Sequence, residues 1–197
     1  GGKEDIEGAL LAADDALAAD PENTDAKLRR AEILVDIGFR EATAAAESVD
    51  AESVNELAKK SESINEGLKL ADEILTASPF HPQAEFVRGK AYLARGDVAK
   101  GIEGFRAAAE GRPDWPQAHF ALGSALASIN EPRLARVEIA RALELDPRMH
   151  QARRILASVH QALGEHEYAI EQGSRFLQSQ PENNEARIMV AQSLIRL

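Results

Sequence analysis

Five histidines, His81, His119, His150, His160 and His166, are the side chains best suited to move a proton or hold a metal. Their spacing argues against both roles. His160 and His166 stand six apart, not at the i, i+4 separation that puts two imidazoles on one helical face. No His-Glu-x-x-His string, Gly-x-Ser-x-Gly elbow or Gly-x-x-x-x-Gly-Lys-Ser/Thr loop occurs; the nearest string, GDVAKGIEG at 96–104, lacks the Lys-Ser/Thr pair. With no cysteine, the chain has no thiol nucleophile, disulfide or Cys-ligated zinc. Its 33 carboxylates show no spacing that pairs an acid with a base. The expectation is a protein that is not an enzyme and carries no cofactor or metal. His160 reads as a partly buried, hydrogen-bonded residue. Trp115, just before Pro116, reads as packing at a helix junction, with an exposed partner anchor as the alternative.

Charge narrows the partners further. Against 33 acidic groups stand 23 basic ones, a net charge of −10, which opposes nucleic-acid binding. The imbalance is local: residues 1–78 carry 8 basic and 19 acidic groups, whereas residues 79–197 carry 15 and 14. The first part is therefore an acidic lobe, read as a well-solvated helical surface, with an acidic face that repels or selects partners as the alternative. No apolar run approaches the ~18 residues of a membrane span, so no membrane insertion is expected. Nothing in the sequence fixes a compartment.

The elements that must position any binding surface show themselves through an internal repeat. Pro79, Pro113, Pro147 and Pro181 recur at a constant spacing of 34, each five residues before an alanine: Ala84, Ala118, Ala152 and Ala186. Pro21 and Ala26 keep the same relation, displaced by 34 plus 24 residues. A period in this range marks a stack of units, none of which buries its apolar face alone. With the alanine as position 3, position 8 reads Ala31, Gly89, Gly123, Ala157 and Ala191. Position 20 reads Ala9, Gly67, Gly101, Ala135 and Ala169. All are small, as two closely crossing helices require. Position 15 reads Gly38, Gly96, Asn130 and Gly164, types that tolerate the left-handed residue ending a helix. Positions 24 and 27 compensate in size as Ala71/Ile74, Phe105/Ala108, Ile139/Ala142 and Gly173/Phe176, consistent with one fixed volume. The 36 alanines and the scarcity of aromatics fit an all-α protein.

This pattern resembles the tetratricopeptide repeat, most closely in AEFVRGKAYLARGDVAKGIEGFRAAAEGRPD at 84–114. The resemblance implies a right-handed α-solenoid of helix-turn-helix repeats, a protein-binding scaffold rather than a catalyst. The chain divides accordingly into one array: 4–21 as the second helix of a truncated repeat, 24–81 as repeat 1, 82–115 as repeat 2, 116–149 as repeat 3, 150–183 as repeat 4, and 184–197 as the first helix of a further repeat. About 24 extra residues fall near 39–62. Rich in Ala, Glu and Lys and free of Pro and Gly, they are predicted to elongate the first hairpin as two helical arms. Ala42, Ala45, Ala46 and Val49 share one face; Val54, Leu57, Ile64, Leu68, Ala71 and Leu75 share another, with Asp50 a cap between. The half-repeats at both ends suggest a fragment of a longer, bacterial protein, with Gly1 and Gly2 an expression scar.

In the family, positions 2, 5, 9 and 12 of first helices line a concave groove. Carried over, the candidate groove is Leu28, Glu32 and Val35; Gln83, Phe86, Lys90 and Leu93; Gln117, Phe120 and Ser124; and Gln151, Arg154 and Ser158. The lysine and asparagine set with which family members capture acidic chaperone C-termini is missing, so that ligand is not expected. The expected partner is a protein or peptide segment with apolar anchors. Two rival readings stand: a regulatory or substrate-presenting region of a larger enzyme such as a transferase, and a self-assembling structural array. For the last, Ile6, Leu10, Leu17, Leu194, Ile195 and Leu197 on the half-repeats leave apolar surface for an end-to-end homodimer. Light scattering over a concentration series is expected to show reversible dimers; a strictly monomeric species at high concentration counts against them.

Overall fold

The computed structural model describes residues 3–45, 57–59 and 61–197. These form α1 (Lys3–Ala19), α2 (Thr24–Ala45), α3 (Glu62–Ala77), α4 (Pro82–Ala94), α5 (Val98–Gly111), α6 (Pro116–Ser128), α7 (Pro132–Leu145), α8 (His150–Ala162), α9 (His166–Ser179) and α10 (Asn184–Ile195), with no strand among the described residues. The protein is all-α. It falls into two compact units, residues 1–111 and 112–197. Within each, every helix packs on the next, and first helices also touch the first helix of the following hairpin: α2 on α4 in one unit, α6 on α8 and α8 on α10 in the other. That is how helical hairpins stack in a solenoid.

Local chemistry sets the helix ends. Pro82, Pro116 and Pro132 open α4, α6 and α7, where a missing N–H costs nothing. The amide of Ala26 donates to Asn23 Oδ1 at 3.0 Å, and that of Ala186 to Asn183 Oδ1 at 2.9 Å. His81 caps α4 in the same way, its Nδ1 accepting from the Ala84 amide at 3.3 Å. At position 15, Gly96, Asn130 and Gly164 take φ of 80°, 59° and 75° and stop α4, α6 and α8. Gly38 departs from that expectation. It lies inside α2, which runs on to Ala45, because the extra residues extend the helix past the usual turn. What Gly38 supplies is space: a Cβ there would stand 2.5 Å from Ser61 Oγ and 2.6 Å from Ile64 Cγ1.

The second arm also differs from expectation. Ser61 is extended and accepts from the Ile64 amide at 3.3 Å, so α3 starts afresh at Glu62. Leu57, in the helical turn 57–59, is half exposed and separate from the buried row of Ile64, Leu68, Ala71 and Leu75. Ala46, Val49, Asp50 and Val54 lie outside the described residues.

Small residues mark the crossings as the repeat requires. A Cβ on Gly89 would meet Phe105 Cδ1 at 2.8 Å and Gly101 O at 3.0 Å; one on Gly67 would meet Ala31 O at 2.8 Å. The larger member of each compensating pair, Ile74, Phe105, Ile139 and Phe176, is buried. In the first unit, Arg30 on α2 bonds Asp14 of α1 through Nε at 2.6 Å and Glu66 of α3 through Nη1 at 2.5 Å, tying three helices. In the second, His160 is buried as expected. Its Nδ1 lies 2.6 Å from Glu165 Oε2, its ring stacks on Tyr168 at 5.3 Å, and Glu165 takes Arg136 Nη1 at 2.5 Å. The hydrogen bond to His160, more than any other influence, holds the Glu165 carboxyl below its ordinary range. Trp115 is partly buried at the start of α6, with the Arg112 guanidinium over its ring at 5.2 Å.

One buried carboxylate costs stability. Glu85 is 8 % exposed and takes Arg88 Nη2 at 2.6 Å. Burial pushes its pKa up against the attraction of Arg88, and Asp72 is raised for the same reason. A carboxyl raised on folding stabilises fully below its unfolded pKa, and that contribution is lost as pH climbs through the folded value. Glu85→Gln is therefore expected to gain stability relative to the parent chain as pH rises from about 4 towards neutrality. Denaturant midpoints of both chains across that range check this; a difference that does not change with pH contradicts it.

Gly123 tests the crossing. A Cβ there would stand 2.7 Å from Ile139 Cδ1 and 3.0 Å from the Ile139 backbone nitrogen. Gly123→Leu is expected to cost about 1–3 kcal/mol of stability, read from the denaturant midpoint.

Candidate functional site

In the first unit, α2 and α4 lie side by side and bring three of the thirteen groove residues together. Val35, Lys90 and Leu93 border a notch of about 130 Å³ with Asp36, Phe39 and Ala94. Val35 is 1 % exposed and packs in the core, so it forms the floor of the notch and offers no side chain to a partner. Its inward turn follows from α2 packing on both α3 and α4. Leu93, 38 % exposed, and Phe39, 48 % exposed, form the walls. Lys90 Nζ bonds Asp36 Oδ1 at 2.6 Å, which fixes a charge pair at the apolar rim. Phe39 was not among the residues inferred from sequence, because it follows Gly38, which the repeat reads as a helix end. An apolar residue beyond a glycine that leads into an Ala-rich helical stretch is the signal that points to it.

The other groove residues of this unit are placed differently. Leu28 is partly buried against Ile74, Leu75 and Ala84. Phe86 is partly buried, its ring 5.4 Å from that of Phe105. Glu32 and Gln83 are half-buried polar residues on the same two helices.

The second unit repeats the position with different chemistry. Ser158 and Gln161 of α8, with Gln192 and Ile195 of α10, border a cleft of about 550 Å³, completed by Ala162, His166 and Arg196. Ser158, Gln192 and Lys90 share position 9; Gln161, Ile195, Val35 and Leu93 share position 12. Here Gln161 Nε2 donates to Gln192 Oε1 at 3.3 Å and to Met189 O at 3.4 Å, so polar groups share the lining with Ala162 and Ile195. Phe120 is partly buried against Ile139, Ala152 and Leu156, as Phe86 is against Phe105. Ser124 Oγ donates to the Phe120 carbonyl at 2.7 Å, and Ser158 Oγ to the Ile155 carbonyl at 2.8 Å. Gln117 and Gln151 are exposed; Gln151 Oε1 accepts from Arg154 Nε at 3.2 Å. Among the described residues there is no cluster of three or more His, Asp or Glu able to hold a metal, and no helix is long and apolar enough to cross a membrane.

Comparison with known proteins follows the same lines. No curated protein matches the chain. Among solved structures, a thermophilic TPR protein of Thermus thermophilus is 18 % identical, with 96 % of this chain and 91 % of that one aligned at a TM-score of 0.65. The protein MamA is 17 % identical over 93 % of each chain at 0.66. YrrB, described as a TPR protein with an unusual peptide-binding site, is 19 % identical over 79 % of this chain and 81 % of that one at 0.64. At such identities the likeness shows the fold alone. The model of the family described as "Tetratricopeptide repeat" matches residues 56–118, 86–136 and 120–184, more than half of the sequence. With the small-residue crossings and stacked hairpins, this places the chain in the tetratricopeptide repeat family.

Proposed function

We propose that this protein is an interaction scaffold that holds a partner segment along α2 and α4, with an apolar side chain of the partner seated between Phe39 and Leu93. The observation that carries this is the notch itself: two exposed apolar walls over a floor of Val35 and Ala94, with a fixed ion pair beside it. Such an arrangement suits an anchor residue with a polar neighbour. The fold agrees, since a family relative of the same architecture, YrrB, is described as having a peptide-binding site. Glu32, one helical turn before Asp36, adds negative charge to the same face and favours a partner whose anchor lies near a basic residue. Phe86 and Phe120 serve this reading as supports, not as anchors, because both rings lie half buried against core residues.

Substitution separates the two kinds of aromatic residue. Phe39→Asp and Leu93→Asp, at exposed sites, are expected to abolish capture of the partner recovered by the unaltered chain, with stability changed by no more than about 0.5 kcal/mol. Phe86→Ala is expected to lower stability by about 1–3 kcal/mol through lost packing. Affinity capture with quantitative mass spectrometry, beside a denaturant melt of each variant, reads both. If the two aspartate variants retain the partner at full recovery, the notch is not the site.

A further inference from the structure

A second cleft lies outside positions 2, 5, 9 and 12, at the end of the α8–α9 hairpin away from its turn. It has a volume of about 410 Å³ and is lined by Pro147 and Arg148 of the α7–α8 loop, His150 and Arg153 of α8, and Arg175, Gln178 and Ser179 of α9. Three guanidinium groups and an imidazole face one cleft with no carboxylate in its lining, in a chain whose net charge is −10. The arginines are held from behind. Arg153 Nη2 donates to the Pro147 carbonyl at 2.6 Å and has no carboxylate partner among the described residues. Arg175 is steadied by Glu171 at 2.8 Å on its own helix. The Arg148 side chain is 91 % exposed, with Asp146 Oδ1 3.5 Å from its Nε; the same oxygen accepts from the Arg148 amide at 3.0 Å. The cleft also receives the positive end of α8, whose N-cap Met149 offers no side-chain acceptor to the first amides.

Each feature selects for oxyanions. Guanidinium groups present paired N–H donors that match carboxylate and phosphate geometry, and a helix N-terminus adds backbone donors and a favourable field. We propose that this cleft binds an acidic peptide segment through carboxylate or phosphate oxygens, independently of the apolar notch on the first unit. Arg153, tethered by Pro147, is the fixed recognition point. Arg148 closes over the bound group, and Arg175 holds its far side. An open cleft lined from three elements suits a side chain carried on an extended backbone.

The test uses the whole chain, isotopically labelled and titrated with three probes: a short peptide containing a run of Asp and Glu, a neutral peptide with one phosphoserine, and inorganic phosphate. Saturable binding of at least one peptide is expected, with amide shifts centred on residues 148–153 and 175–179, weakened by added salt. If only the phosphoserine peptide binds, the oxyanion is a phosphate; if only the acidic run binds, it is a carboxylate cluster; either supports the site. Arg148→Glu, on a side chain with no packing role, is expected to weaken binding roughly tenfold. Arg153→Ala is expected to do the same, with its fold checked by the amide spectrum. Arg133→Glu makes the same charge change on an exposed residue of α7 and is expected to leave affinity unaltered. Leu93→Asp is also expected to leave it unaltered, so failure of the notch and failure of this cleft are told apart. The proposal is overturned if neither peptide saturates, if Arg133→Glu weakens binding as much as Arg148→Glu, or if the shifts map elsewhere.

Discussion

The close approach of two helix backbones at repeat positions 8 and 20 is the constraint on which the rest depends. At Gly89 and Gly101, Gly123 and Ala135, and Ala31 and Gly67, the absence of a large side chain lets a first helix sit directly on its second helix. That approach fixes the inter-helix volume, and the volume fixes what positions 24 and 27 can hold together. Phe105 with Ala108 and Gly173 with Phe176 are two fillings of one space, both fully buried. With the hairpin interior closed by small and medium side chains, first helices are left to meet each other. Two of the structure's clefts lie on the faces they share, α2 with α4 and α8 with α10.

Much of this was legible in the sequence because it is written in spacing. Five prolines in register, two rows of small residues and one row of Gly and Asn identify the crossings and three helix ends, and the φ angles of Gly96, Asn130 and Gly164 follow. The same row misleads at Gly38, since a glycine ends a helix only when the residues after it decline to continue. The Ala-rich stretch after Gly38 continues, and the residue is used for proximity instead. Ser61 does the opposite: its side chain accepts from the Ile64 amide and starts a new helix, dividing what periodicity alone joins.

The candidate site was less legible, for a physical reason. Repeat position tells which side of a helix a residue occupies, but not how deep it sits once neighbouring helices pack. Val35 and Leu93 share position 12, yet one is sealed in the core and the other forms an exposed wall. Phe86 and Phe120 share position 5, and both sink partly into the interior, because an aromatic ring next to apolar neighbours gains more by burial than by waiting for a ligand. The arginine cleft escaped the repeat pattern altogether, since it joins a loop to the start of one helix and the end of another.

Two glycines of the second helices differ in what they tolerate. At Gly104 an added methyl would press on Glu85 O, Gly89 Cα and Gly89 N, all at 2.8 Å, and none of these backbone atoms can yield without moving a helix. At Gly173 the three nearest obstacles are side-chain atoms, Val190 Cγ2 at 2.6 Å, the flexible Met189 Cε at 3.2 Å and Ala157 Cβ at 3.9 Å. A methyl is thus more readily accommodated at Gly173, repeat position 24, than at Gly104, position 23. An added methyl at Gly104 displaces a helix, whereas one at Gly173 displaces side chains alone, so the α4–α5 contact is the less forgiving of the two.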